Sequence, residues 1–259
     1  MKLLINDAKK SDQFGTIFQN LTQIANEIAM RFSCEKVYVQ GMDSSHVCMF
    51  ELVLKKEWFT EFSFDQGNDQ EFICLNTSNM HKVLNIREEN QSIEISTKND
   101  DFLHIKFKSD HKTEFNKQFK MSLLDNTVQE LTIPEFEYSA EINIPTRKIS
   151  KLIDQFALFH DTVNITCSEE EIKFDVQGDT GTMEVDIPLE DLNEFLMDED
   201  ATVSVTFAVN LLKRVCQFYK LTDEGVLNLS NDYPLRMDYN LENECHLRLY
   251  LAPKFDDTE

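Results

Sequence analysis

The sequence predicts an α+β protein made of two similar halves, each presenting two helices on one side of antiparallel sheet. Strand-like alternation dominates the chain, and helical spacing appears in four places. Short segments of the first half also recur, in order, in the second.

The first helix follows from Phe14, Ile17, Phe18, Leu21, Ile24, Ala25 and Ile28, whose spacing gathers them on one apolar face. A short helix fits Met80 to Ile86. The next is set by Ile149, Leu152, Ile153 and Phe156, and the last by Asn210 to Tyr219. Between them lie half-buried strands. Leu103, Ile105 and Phe107 alternate with His104, Lys106 and Lys108; Val203, Val205, Phe207 and Val209 alternate with Ser204, Thr206 and Ala208; Leu247, Leu249 and Leu251 alternate near the end. The repeat is carried by Val39-Gln40-Gly41 and Val176-Gln177-Gly178, by Lys82-Val83 and Arg214-Val215, and by Ser92 to Ser96 and Val226 to Ser230. Their offsets are nearly constant, as a duplication requires. Met121 to Tyr138 lacks alternation, and Pro134 holds Ile133 out of helical geometry. The expected organisation is a first domain over 1–120, a connector over 121–138 and a second domain over 139–259.

The 259 residues carry 47 Asp plus Glu against 25 Lys plus Arg, a net charge of -22 that excludes a simple basic nucleic-acid-binding domain. The acid is unevenly spread. Residues 76–87, 145–160 and 205–222 each hold an excess of Lys and Arg, so mildly basic helices stand on an acidic body. Such a face can touch a polyanion without wrapping it. The alternative is that these lysines are only the solvated side of amphipathic helices. The six cysteines form no C-x-x-C pair and the N-terminus has no secretory apolar stretch, so reduced thiols inside a cell are expected. No apolar run suits a membrane span, and no membrane partner is expected.

Catalytic and cofactor patterns are sparse. His and Cys do not meet at metal-ligand spacing, the adjacent Cys245 and His246 would point to opposite faces of a strand, and phosphate-cradling glycine motifs are missing. No cofactor, metal or catalytic residue is expected. The acidic runs Glu169-Glu170-Glu171 and Asp198-Glu199-Asp200 lack the order of a calcium loop. Asp179-Thr180-Gly181 is the triplet of aspartic proteases, but the duplicated position reads Met42-Asp43-Ser44-Ser45. A β-turn is the simpler reading, and an aspartic hydrolase stays as a distant alternative.

Three segments add a resemblance: Met42-Asp43-Ser44-Ser45-His46-Val47, Leu131 to Tyr138 (LTIPEFEY), and Tyr250-Leu251-Ala252-Pro253-Lys254. They resemble the signature segments of the eukaryotic-type DNA sliding clamps, the proliferating cell nuclear antigen family, in order and at comparable spacing. The resemblance spans essentially the whole chain, with the duplication, Pro234 and the acidic tail Asp256-Asp257-Thr258-Glu259. It implies two clamp domains in a ring-forming homotrimer of pseudo-sixfold symmetry, sheets outside and helices on the inner face around duplex DNA. Neighbouring chains would pair near Lys112 to Lys120 of one and Gly178 to Val185 of the next, with Phe119 and Gly178 at the trimer interface. DNA-binding residues would be Lys82, Lys148, Lys151, Lys213, Arg214 and Lys220.

The resemblance also implies a partner-peptide groove. The first segment would contribute Met42, His46, Val47 and Met49, the second Leu131, Ile133, Pro134 and Tyr138, and the C-terminal part Pro234, Tyr250, Leu251, Ala252 and Pro253. It would take an aliphatic and two aromatic anchors of a docking motif. The implied protein is a non-enzymatic processivity clamp for replication and repair, nuclear or at a viral replication site. Its partners would be a replicative polymerase, a clamp-loader ATPase and other proteins with docking peptides. A subunit of a heterotrimeric clamp, or a viral clamp-like factor, is the alternative. Three departures stand out: Thr16, Gln19, Asn20, Thr22 and Gln23 replace the lysines usual on the first helix, leaving Lys9 and Lys10 upstream; Asp154 stands where a base is common; and Glu169 replaces a lysine used for regulatory modification.

Overall fold

Asp7 starts the first helix by accepting the Lys10 backbone N–H at 2.8 Å, and Thr22 closes it. The chain then runs β1 (Lys2–Ile5), α1 (Ala8–Leu21), β2 (Glu27–Phe32), β3 (Lys36–Met42), β4 (Cys48–Lys55), β5 (Glu61–Ser63), β6 (Glu71–Asn76), α2 (Thr77–Leu84), β7 (Ser92–Thr97), β8 (Phe102–Lys108) and β9 (Lys117–Ser122). The same order returns as β10 (Ala140–Pro145), α3 (Thr146–Phe156), β11 (Thr162–Cys167), β12 (Ile172–Gly178), β13 (Gly181–Ile187), β14 (Glu194–Met197), β15 (Val203–Ala208), α4 (Val209–Cys216), β16 (Glu224–Leu229), β17 (Leu235–Asn240) and β18 (His246–Leu251). This computed structural model describes residues 1–64, 71–98, 101–109, 114–125, 131–179 and 181–254.

The duplication is therefore topological, not merely a matter of short matches. Strand order β5-β1-β7-β8-β9 in the first half is matched by β14-β10-β16-β17-β18 in the second, and β6-β2-β3-β4 by β15-β11-β12-β13. β1 pairs antiparallel with β5 and β7, β2 with β3 and β6, and β8 with β7 and β9, as do β10 with β14 and β16, β11 with β12 and β15, β12 with β13, and β16 with β17. The fold is α+β and duplicated, with a leading strand in each half that helical spacing did not reveal. The two matched tripeptides occupy equivalent strands, Val39 to Gly41 on β3 and Val176 to Gly178 on β12.

Two compact units result. One comprises Met1–Ser44, Phe50–Thr132 and Leu241–Leu247; the other comprises Ser45–Met49, Ile133–Asn240 and Arg248–Glu259. In the first, Phe14 and Phe18 of α1 are buried, their rings 4.8 Å apart, and Phe14 meets the fully buried Trp58 at 6.3 Å. In the second, Ile149, Ile153 and Phe156 of α3 are buried, and Phe156 stacks on Phe174 of β12 at 6.4 Å. Each of these side chains removes from water an area worth about 1.5–3 kcal/mol.

The first helix is shorter than its periodicity suggested. It stops at Leu21, and Ile24 and Ala25 are buried in the turn before β2 while Ile28 lies on that strand. Apolar residues facing one core kept the spacing although the backbone had left the helix. β9 runs through Ser122, two residues into the segment read as the connector. Residues 126–130 of that connector, Lys112, Thr180 and the acidic tail lie outside the described residues.

A buried carboxylate ties the first unit's sheet. Glu94 on β7 is 8% exposed; its Oε1 accepts from Lys106 at 2.8 Å and its Oε2 from Lys108 at 3.2 Å. Donation by Lys106, then Lys108, holds its carboxyl below the usual range against the opposing effect of burial. A lowered folded pKa stabilises above the unfolded-chain value and is lost as pH falls through the folded one. Glu94→Gln should therefore cost about 1 kcal/mol or more at neutral pH. Thermal unfolding of the two chains should converge in acid; a gap independent of pH would contradict this origin.

Candidate functional site

Two helix pairs, α1 with α2 and α3 with α4, carry the candidate nucleic-acid contacts. The start of α3 is fixed without a side-chain cap: Thr146, fully buried, donates its hydroxyl to the Thr222 carbonyl at 2.6 Å. Ile149, Ile153 and Phe156 take the buried face, so Lys148 and Lys151 fall on the exposed one. Lys82 on α2, Lys213 on α4 and Lys220 beyond it are exposed, and Arg214 is half-buried.

Their freedom differs. Lys213 Nζ is 2.6 Å from Asp154 Oδ1, so the acidic departure on α3 engages one of the six candidate cations. Among the described residues no carboxylate pairs with Lys82, Lys148, Lys151 or Lys220. Arg147, which the sequence reading passed over, lies 5.8 Å over the Tyr219 ring. In the first unit, Lys9 pairs with Glu242 at 2.9 Å, and Lys10 donates to the Trp58 carbonyl at 3.0 Å. Arg87 is bound by Asp12 and by the carbonyls of Glu88, Glu89 and Gln91. The basic residues around α1 thus tie the fold together.

The implied groove residues divide between the units. In the first, Met42 is half-buried at the end of β3, and Leu131 is 38% exposed. Leu131 is held by both backbone groups: its N–H donates to Gln40 Oε1 at 2.7 Å and its carbonyl accepts from Gln40 Nε2 at 2.8 Å. Gln40, buried on β3, is a connector anchor that the sequence reading did not single out. In the second unit, Val47, Met49, Ile133, Tyr138, Pro234, Ala252 and Pro253 are half-buried, while His46 and Pro134 are exposed. Tyr250 is 5% exposed and Leu251 is fully buried, so Leu251 serves the core. The Ala252 N–H donates to the Val47 carbonyl at 2.9 Å and the Lys254 N–H to that of Thr206 at 2.8 Å, seating the C-terminal segment.

An aromatic cluster occupies this surface of the second unit. Phe136 lies 5.1 Å from Tyr233, 6.1 Å from Tyr138 and 6.4 Å from Tyr250 by ring centroids. Beneath it, Arg236 and Arg248 flank Asp238, 6% exposed. Burial pushes the Asp238 carboxyl above its ordinary value although both arginines pull it down, and burial pushes the Tyr138 hydroxyl up to about 12. Phe136, Tyr233, Arg236 and Asp238 were missed. A signal existed for the last two, because charges two apart on a strand share a face.

The candidate interface strands are both at sheet edges. Among the described residues nothing pairs with the outer side of β9 or of β13. Phe119 is half-buried against Phe107 at 6.0 Å. Gly178 pairs with Gly181 across a tight turn, with Gly181 at φ 145°, and Asp179 is exposed in that turn.

The family model for the N-terminal domain of proliferating cell nuclear antigen matches residues 7–130, and that for its C-terminal domain matches residues 132–254. The chain belongs to the proliferating cell nuclear antigen family. A protein named proliferating cell nuclear antigen from Chaetomium thermophilum is 29% identical over 236 residues, covering 88% of this chain and 90% of that one. Membership makes this chain a sliding clamp, a processivity factor of replication and repair that acts as a scaffold. The aspartic-hydrolase alternative has no support in that assignment. No described helix is long and apolar enough to cross a membrane.

Proposed function

We propose that this clamp closes as a homotrimer around duplex DNA and tethers its partners by their docking peptides. The observation that carries the reading is that, among the described residues, the outer edges of β9 and β13 are both unpaired. Unpaired strand edges invite association, and joining one edge to a different one is a head-to-tail contact that can close a ring. Exposed side chains of opposite charge stand on them, Lys120 on β9 and Asp186 on β13, while Glu184 on β13 already pairs with Lys173 at 2.8 Å. Phe119 and Gly178 are the proposed interface residues.

Lys82, Lys148, Lys151, Lys213, Arg214 and Lys220 would touch phosphates independently of sequence. Closure around DNA lets such contacts stay weak, which suits an otherwise acidic chain. The half-buried apolar and aromatic residues of the connector and C-terminal segment support the peptide groove. A replicative polymerase and a clamp-loading ATPase are the proposed partners, and the nucleus the proposed location.

Light scattering over a dilution series at moderate salt tests the assembly. The expected mass is three times the 30.3 kDa of one chain, held on dilution. A monomer at every concentration would sink the closed homotrimer and favour a heteromeric or open clamp.

A further inference from the structure

In the second unit a run of contacts leads from a buried carboxylate to the aromatic cluster. Arg236 Nε lies 3.0 Å from Asp238 Oδ1, and Arg248 Nε lies 3.7 Å from the same oxygen. Arg236 also donates from Nη2 to Asn228 Oδ1 at 3.2 Å, and Asn228 is fully buried on β16. With its charge beside the Asp238 carboxylate and one edge held by the Asn228 amide oxygen, the Arg236 guanidinium sits 4.8 Å from the Tyr138 ring centroid. Among the described residues the buried Tyr138 hydroxyl has no hydrogen-bond partner, and ring contacts hold the side chain. One of these is Phe136, 6.1 Å away, which goes on to Tyr233 and Tyr250.

Charge balance alone does not set Arg236 apart, because Arg248 shares the same carboxylate and Glu141 adds a second negative charge nearby. What Arg236 adds is the ring contact. We propose that Arg236 is a positioning residue for partner docking: by holding Tyr138 it sets where Phe136 stands, and so shapes the aromatic wall that a docking peptide's rings meet. This rests on the peptide-groove reading above. Phe136 is the element through which the effect passes, since it touches Tyr138 on one side and the two remaining tyrosines on the other.

The probe is a fluorescein-labelled peptide with one aliphatic and two adjacent aromatic side chains within about one helical turn. Arg236→Met should weaken its binding to the full-length clamp by about tenfold, with Arg236→Lys recovering part of the loss. Tyr138→Leu removes the same contact from its other side and should match Arg236→Met, keeping the test alive if one variant fails to fold. In a Phe136→Ala background, Arg236→Met should no longer change affinity yet should lower Tm as much as before. Unchanged affinity of both Arg236→Met and Tyr138→Leu, or an equal loss with and without Phe136, would overturn the inference. A native clamp that does not bind the peptide at all would overturn the groove reading and this inference with it.

Discussion

A chain carrying Gly178→Ala should unfold about 5 °C or more below the native one. A Cβ on Gly178 would sit 2.3 Å from the Phe159 carbonyl oxygen and 3.2 Å from its carbon. Real Cβ atoms do not approach backbone so closely, and backbone tied by its own hydrogen bonds moves only at a cost. The N–H groups of Ala157 and Phe159 bond to the carbonyls of Ile153 and Phe156, at 3.1 and 3.0 Å, locking the turn after α3. Either this turn or the β12–β13 hairpin must shift. The loss would belong to the second unit's own packing, although Gly178 was singled out for its place near a subunit edge. Thermal unfolding at a concentration too low for assembly isolates it; an unchanged Tm would show that the turn yields freely.

Removing the unpaired lysines should give the largest change in DNA affinity. Every phosphate that a lysine no longer neutralises lowers the slope of log K against log salt by about 0.9. Replacing Lys148, Lys151 and Lys220 together with Gln should flatten the slope by up to about 3 for each chain touching the duplex, with the greatest loss of affinity at low salt. The same replacement at Lys9 and Lys10 should leave the slope near its native value, because those two cations are held by Glu242 and the Trp58 carbonyl. Fluorescence anisotropy with a short duplex at several salt concentrations makes the comparison. Equal flattening by the two sets would mean that fixed pairing in the free chain does not decide which cations meet DNA.

These expectations draw differently on sequence and structure. The strand alternation at Leu103 to Phe107 and Val203 to Phe207 was readable because a half-buried strand needs one apolar face, and both are strands. The helix at Ile149 to Phe156 was readable for the corresponding reason at helical period. The first helix misled because Ile24, Ala25 and Ile28 serve the same core from a turn and a strand. Periodicity reports which side is apolar, not where the backbone changes form.

At the candidate surfaces the limit lay in pairing. Lys9, Lys82 and Lys148 look alike in a sequence, yet Glu242, far away in the chain, engages only the first of them. Tyr250 and Leu251 are neighbours in one signature segment, but alternation and packing send Leu251 fully into the core. Phe136 and Arg236 gained their significance only when the fold brought both to Tyr138.

By itself the sequence determined the α+β class, the duplication, the acidic body with basic helices and membership of a clamp family. Periodicity, composition and ordered motifs are properties of a single chain read along its length. Tertiary structure alone decided which cations remain unpaired, which apolar residues line a surface, why residue 178 must lack a Cβ and how Arg236 reaches an aromatic wall. Each of those depends on a short distance between residues remote in sequence, and over such distances ion pairing, ring contacts and steric exclusion act.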